Sequence, residues 1–143
     1  MYTRAMERRI FSGIALKYLH LHARRQELSA QKEISDLDIP LPDCIDDDGY
    51  LKILKLKLPE LMETVQPDFI FYQSDVDDLA TDKLGRLGLS TDGCNEREWF
   101  VLETCKKNNI PVDVSMGGGY SEKIAGIVEA HANTFQLASE IYF

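Results

Sequence analysis

Residues 67–93 read PDFIFYQSDVDDLATDKLGRLGLSTDG, and the order of residue types in this stretch decides the fold. PDFIFYQ is a short β-prone run, and an apolar run entered from a helix suits a buried parallel strand. The run does not end in an ordinary turn. Asp75, Asp77, Asp78 and Asp82 all come before the first glycine, Gly85. A strand that ends in carboxylates puts polar chemistry at its carboxyl end, where open α/β sheets gather their ligands.

Working outward, SDLDIPLPDCIDDDG, residues 35–49, is a turn-rich loop with two prolines, and its closing Asp-Asp-Gly can start a helix. In the next stretch Leu51, Leu54, Leu58, Leu61, Met62 and Val65 recur at helical spacing. Pro59 is expected to kink that helix or divide it in two. Downstream, STDGCNEREWFVLETCKKNN (90–109) reads as a helix with a Ser/Thr start and a basic end. IPVDVSM (110–116) reads as a second strand, and GGGYSEKI opens a final helix that runs to Phe143. The resulting α-β-α-β-α order predicts an α/β domain, a parallel sheet with helices on both faces. The aspartate cluster and the glycine turn fall at the same edge of that sheet. Trp99, Phe100 and Leu102 read as helix packing, and His131 as a structural or surface histidine.

With 143 residues, 44% of them hydrophobic, the chain is one domain's worth of sequence. No apolar run approaches the roughly 20 residues of a membrane span, and no signal leader opens the chain, so a cytoplasmic protein without membrane contact is expected. Cys44, Cys94 and Cys105 lack CxxC spacing and read as ordinary thiols. The net charge of −8 disfavours direct nucleic-acid binding but is compatible with a basic partner such as a lysine-rich peptide.

SDLDIPLPD, YQSDVDDLATDKLGRLGLSTDG, IPVDVSMGGGYS and IVEAHANT occur in this order. Together they resemble the carboxyl-terminal half of the histone deacetylase family, in its smaller bacterial or class IV-like form, from about Lys32 to Phe143. The resemblance implies a partial arginase/deacetylase-like fold and hydrolysis of acetyl-lysine or acetylpolyamine amides by zinc-activated water. The family loop reads Gly-x-Asp-x-Leu. Its Asp, one of three zinc ligands, falls on Asp77, and the catalytic Tyr that closes the glycine turn falls on Tyr120. A catalytic zinc needs ligands fixed on rigid strand ends, and an Asp just past a strand meets that need. A Tyr held by Gly117, Gly118 and Gly119 would donate to the acetyl oxygen as it becomes an oxyanion. Without the resemblance, the same Asp reads as a loop or cap carboxylate and the same Tyr as a packed loop aromatic.

Two departures stand out. Asp75 replaces the family's glycine and adds charge and bulk beside the ligand position. Asp78, Asp82 and Asp92 read as loop and cap carboxylates, with Asp82 and Gly85 shaping the turn. The larger departure is upstream: residues 1–31 hold no DxHxGNGT motif and no adjacent histidine pair, since His20 and His22 alternate. On its own terms this segment is a helix with a solvated basic face.

The genetic code gives another reading of residues 1–31. In a shifted frame Met1-Tyr2 forces a valine and Met6-Glu7 a glycine, and the intervening codons permit VHQGNGTA. One G before the start codon adds the missing Asp. From His22 the other frame permits MHDGRNFPPRK, which runs into the in-frame KEISDLDIP. Residues 1–31 are therefore read as a frame-shifted, disordered non-family segment, and 32–143 as the carboxyl-terminal part of a deacetylase-like domain. The expectation is a fragment that binds zinc weakly or not at all and has no activity alone. The alternatives are a non-catalytic α/β binding module, with the glycine turn holding a phosphate, and a half-site partner for another chain. Self-association through an exposed sheet edge is expected in either case, because the helix and strand faces of residues 50–71 and 95–116 would be left uncovered.

Overall fold

A computed structural model describes residues 19–23 and 37–143. The helical and the disordered readings of residues 1–31 fall mostly on residues 1–18 and 24–31, outside the described residues, and at residues 19–23 both are overturned, because these residues form a strand. Leu19–Ala23 forms β1, which pairs in parallel with β2, Leu37–Leu41, in the register Leu19↔Leu37 to Ala23↔Leu41. A second parallel pair joins β3, Ile70–Asp75, to β4, Val112–Gly117. Its last rung is Asp75↔Gly117, so the aspartate loop and the glycine turn leave the sheet side by side.

Three described helices pack around these strands. α1 spans Asp47–Val65, α2 Thr91–Lys107 and α3 Ile124–Tyr142. α2 is the crossover between β3 and β4 that a parallel pair requires. Each of the first two helices starts on a side-chain cap. Asp46 accepts from the Gly49 amide at 3.0 Å, and Ser90 accepts from the Gly93 amide at 3.0 Å. Asp47 then ties the two starts together, accepting from the Ser90 amide at 2.8 Å and from its hydroxyl at 2.5 Å. A Cβ at 93 would lie 2.0 Å from Asp47 Oδ1, so a larger residue there would displace the Asp47 carboxylate from this tie.

Leu51, Leu54, Leu58 and Met62 of α1 pack with Val101 and Cys105 of α2, Leu41 of β2, and Val76, Leu79 and Leu89 of the loop after β3. Leu41, Leu89, Leu102 and Cys105 are fully enclosed. Truncating a residue such as Leu102 to alanine would cost about 2–5 kcal/mol.

Four expectations need correction. Residues 37–41, inside the stretch read as a turn-rich loop, form the strand β2, with Pro40 within it. α1 is one helix through Pro59, not two. Pro59 lies on its exposed side, and Leu58 and Met62 hold the flanking turns to the core. It ends at Gln66, whose left-handed backbone (φ 47°) directs its amide onto the Met62 carbonyl at 2.9 Å. β3 is parallel but is not a buried strand: Phe71 is 62% exposed, and the preceding Phe69 is also exposed. Trp99 is an exposed ring, not core, with the Lys107 ammonium 5.9 Å from its centroid.

Candidate functional site

The loop after β3 is built by local backbone contacts that this sequence dictates. Val76 donates its amide to the Gly117 carbonyl at 3.1 Å, which extends the β3·β4 ladder by one rung. Ala80 donates to the Leu89 carbonyl at 2.9 Å, and Leu89 donates to the Asp78 carbonyl at 3.1 Å. Between these ties, Asp82 makes a turn in which its Oδ1 accepts from the amides of Leu84, at 2.8 Å, and Gly85, at 2.7 Å. Gly85 passes so close to the loop that a Cβ would lie 1.7 Å from the Asp77 carbonyl oxygen.

The glycine turn closes on the other side of Asp77. Gly118 and Gly119 have φ of 71° and 103°, a region L side chains rarely adopt. A Cβ on Gly118 would sit 2.8 Å from the Asp77 nitrogen and 3.1 Å from its Cγ. One on Gly117 would meet Asp75 Oδ1 at 1.8 Å. Asp75, the extra carboxylate, therefore fills the space beside Gly117, where its two oxygens accept from Gln73 Nε2 at 3.0 and 2.8 Å. Tyr120 follows, with its amide donating to Asp82 Oδ2 at 2.5 Å and its side chain 61% exposed. The structure thus brings Asp77, Tyr120 and the three glycines to one edge of the sheet.

The electrostatics follow from this crowding. Burial raises the Asp77 carboxyl above its ordinary value, and the charges of Asp75 and Asp82 add to the rise, while its own amide and Arg97 act against it. Burial also pushes Asp78 up to about 6, with the Arg97 guanidinium pulling the other way. For Asp82, burial acts upward but the amides of Tyr120, Gly85 and Leu84 outweigh it, and the carboxyl lies below its ordinary value.

These residues alone do not make a zinc centre. Among the described residues no three His, Cys, Asp or Glu side chains converge on a point that could hold a metal. Asp75 is committed to Gln73 and Asp82 to three amides, so neither carboxylate is free to join Asp77. Nor does the glycine turn suit a phosphate, because Asp82 already takes the Tyr120 amide and its negative charge opposes an anion there.

Of the remaining residues, Asp92 lies exposed in the first turn of α2. His131 is half-buried in α3 with Nδ1 enclosed and unbonded. The sequence reading missed Arg97 and Glu98, which are 4% and 2% exposed beneath the loop. Their signal was their place on the buried stripe of α2, between Cys94 and Val101.

A parallel α/β unit with its chemistry at the carboxyl strand ends defines the class, and its solved counterparts specify it as the arginase/deacetylase fold. The structure of an acetylpolyamine aminohydrolase from Burkholderia pseudomallei superposes with a TM-score of 0.60 at 20% identity, covering 73% of this chain and 29% of that one. A histone deacetylase homologue complexed with SAHA superposes with a TM-score of 0.60 at 24% identity, covering 72% of this chain and 26% of that one. At the level of sequence, the histone deacetylase domain profile matches residues 20–135. The chain belongs to the histone deacetylase family. An uncharacterized protein of Picosynechococcus sp. is 42% identical over 113 residues, which is 79% of this chain and 38% of that protein. Histone deacetylase 9 of Arabidopsis thaliana is 38% identical over 87 residues, 61% of this chain and 20% of that protein. The chain therefore spans well under half the length of these relatives. Among the described residues, no helix is long and apolar enough to cross a membrane.

Proposed function

We propose that this chain is the carboxyl-terminal part of a zinc-dependent deacetylase domain and carries half of its active site. The complete domain hydrolyses the acetyl amide of acetyl-lysine or of an acetylated polyamine in the cytoplasm. The observation that best supports this reading is the seating of Gly118 against Asp77. It brings two motifs far apart in sequence to one point at the carboxyl edge of a parallel pair. In this reading Asp77 is the carboxylate offered to the metal. Tyr120, exposed beyond the glycine turn, is the hydroxyl donor that meets the acetyl oxygen as it gains negative charge.

Zinc held by a full ligand set supplies an activated water. The described residues do not complete that set, so Tyr120 alone can polarise a carbonyl with no nucleophile to attack it. In this reading residues 1–31 are out-of-frame translation of the segment that encodes the other ligands and 32–143 are the family domain, while the profile match from residue 20 and the strand at residues 19–23 favour an earlier return to family sequence.

The test is metal analysis and a fluorogenic acetyl-lysine assay on two proteins, the 143-residue chain and the product of a frame-restored gene with its upstream half. The short chain is expected to hold little zinc and to show no turnover, and the restored protein to bind zinc and to turn over. In the restored protein, Asp77→Asn should lose zinc and Tyr120→Phe should lose turnover while keeping zinc. Stoichiometric zinc with turnover in the short chain, or full activity in either variant, overturns the reading.

A further inference from the structure

Beneath the Asp77 loop lies a buried guanidinium. Arg97, in the second turn of α2, is 4% exposed and points at the carboxyl end of β3. Its Nη2 donates to the backbone carbonyl of Asp75 at 2.7 Å, and its Nη1 donates to the carboxylate of Asp78. Nε and Nη2 also donate to Oε1 of Glu98, at 3.0 and 2.6 Å. Glu98 Oε1 in turn accepts from the Tyr72 hydroxyl at 3.1 Å. Burial raises that hydroxyl well above its ordinary value, so Tyr72 stays a neutral donor. Two of the contacts Arg97 makes outside its own helix bracket Asp77, one on the residue two before it and one on the residue after it, and a further one is with the Tyr50 hydroxyl of α1.

Burying a charge of this kind carries a desolvation cost that an apolar side chain of the same volume would avoid. The pair is not arranged for stability alone, because among the described residues Glu98 Oε2 is enclosed without a hydrogen-bond partner. What an arginine offers at such a position is direction: a rigid planar fork whose separate nitrogens meet a carbonyl and a carboxylate in fixed directions, where lysine offers one compact ammonium on a flexible stem.

We propose that Arg97 is a positioning residue that fixes the backbone from Asp75 to Asp78 and so holds Asp77 against the glycine turn, with Glu98 and Tyr72 fixing Arg97 itself. The functional meaning of this rests on Asp77 being the site carboxylate, but the geometry can be tested without metal or turnover. The reporters are amides whose acceptors lie in or beside the loop: Val76 to Gly117, Leu89 to Asp78 and Tyr120 to Asp82. Amides in the interiors of α1 and α2 serve as controls.

Hydrogen exchange by NMR on the full chain would compare Arg97→Lys, Arg97→Met and Glu98→Gln with the parent. Arg97→Lys is expected to lose at least about tenfold protection at the three reporters, in line with loss of charge-assisted bonds, while the helix controls stay within about twofold. Arg97→Met should lose more, and Glu98→Gln less, because glutamine keeps an oxygen acceptor. If Arg97→Met does not fold, the lysine variant, which keeps the charge, still decides the matter. A uniform loss at reporters and controls would show that Arg97 only adds global stability, and unchanged reporters in Arg97→Lys would show that the fork is not needed; either result overturns the proposal. Failure of the Asp77→Asn test above would remove the role of Asp77 and leave the exchange result standing, so the two readings fail separately.

Discussion

The Tyr120 amide donates to Asp82 Oδ2 at 2.5 Å, while Oδ1 of the same carboxylate holds Leu84 and Gly85. One side chain thereby fastens the glycine turn to the aspartate loop. The amides favour the charged form and lower its folded-state value. A lowered carboxylate stabilises above its unfolded value, about 3.9, and that stability is lost as pH falls through the folded value. The Tyr120 amide shift should therefore titrate with a midpoint below 3.8, the ordinary value. Asp82→Ala should abolish that titration and cost about 1–3 kcal/mol in urea unfolding. A midpoint at or above the ordinary carboxylate value would show that the tie is absent in solution.

Gly118 makes a sharper prediction, because two constraints coincide there. Its φ is 71°, and a Cβ would lie 2.8 Å from the Asp77 nitrogen, a backbone atom that cannot swing aside. Gly118→Ala should destabilise by about 1–3 kcal/mol and shift the Asp77 and Val76 amide resonances. Gly126, whose Cβ position is open space within α3, is the control, and Gly126→Ala should be neutral or stabilising by up to about 1 kcal/mol. Equal effects at the two glycines would mean that the turn does not press on Asp77.

Much of this was legible in the sequence, for identifiable reasons. The order of elements from α1 onward, the Ser90 start of α2, its basic end and the Asp82–Gly85 turn each rest on local chemistry that neighbouring residues supply, whereas β1 and β2 were not read. What was not legible depends on distant partners. The run FIFY reads as buried because it is apolar, yet nothing within the run states what covers Phe71. Pro59 reads as a break because it lacks an amide, yet one missing bond on an exposed side is outweighed by Leu58 and Met62 packing on either side of it. Arg97 and Glu98 were not singled out, because their place on the buried stripe of α2 marks them as enclosed but does not say that they face the loop. At the site, position by position reading placed Asp77 and Tyr120 at one edge. The contact of Gly118 with Asp77 and the commitment of Asp75 and Asp82 to other donors emerged only in three dimensions.

The thiols offer a check on the core. Burial raises both Cys94 and Cys105 to about 11, whereas Cys44 is exposed on the loop before α1. Thiolate is the reactive form. At pH 8 a disulfide reagent should therefore modify one thiol per chain quickly and the other two only on unfolding, with all three reacting in denaturant. Substituting Cys44 by serine should remove the fast phase. Three equally fast thiols in the native protein would mean that α1 and α2 do not pack as described.

The last prediction concerns the surface that the fold leaves open. Phe69 and Phe71 lie exposed at β3, and Met116 at the end of β4. On α3, Ile124 and Val128 are exposed one turn apart, and Phe135 continues the same stripe. Water-exposed apolar area contributes about 25 cal/mol per Å² when covered, and monomeric domains rarely leave contiguous patches beyond a few hundred Å². β3 is joined to a strand on one side only in its pair, so this apolar surface adjoins backbone that can pair further. The chain should therefore self-associate at micromolar concentration and melt without a sharp cooperative transition. Lysine is the residue that natural edge strands use against such pairing, so Phe71→Lys together with Val128→Lys should shift sedimentation equilibrium toward monomer. The slow thiols of Cys94 and Cys105 should remain protected in that variant, since neither substitution touches the α1–α2 core. A clean monomer with a sharp two-state melt in the parent chain would show that this face needs no cover.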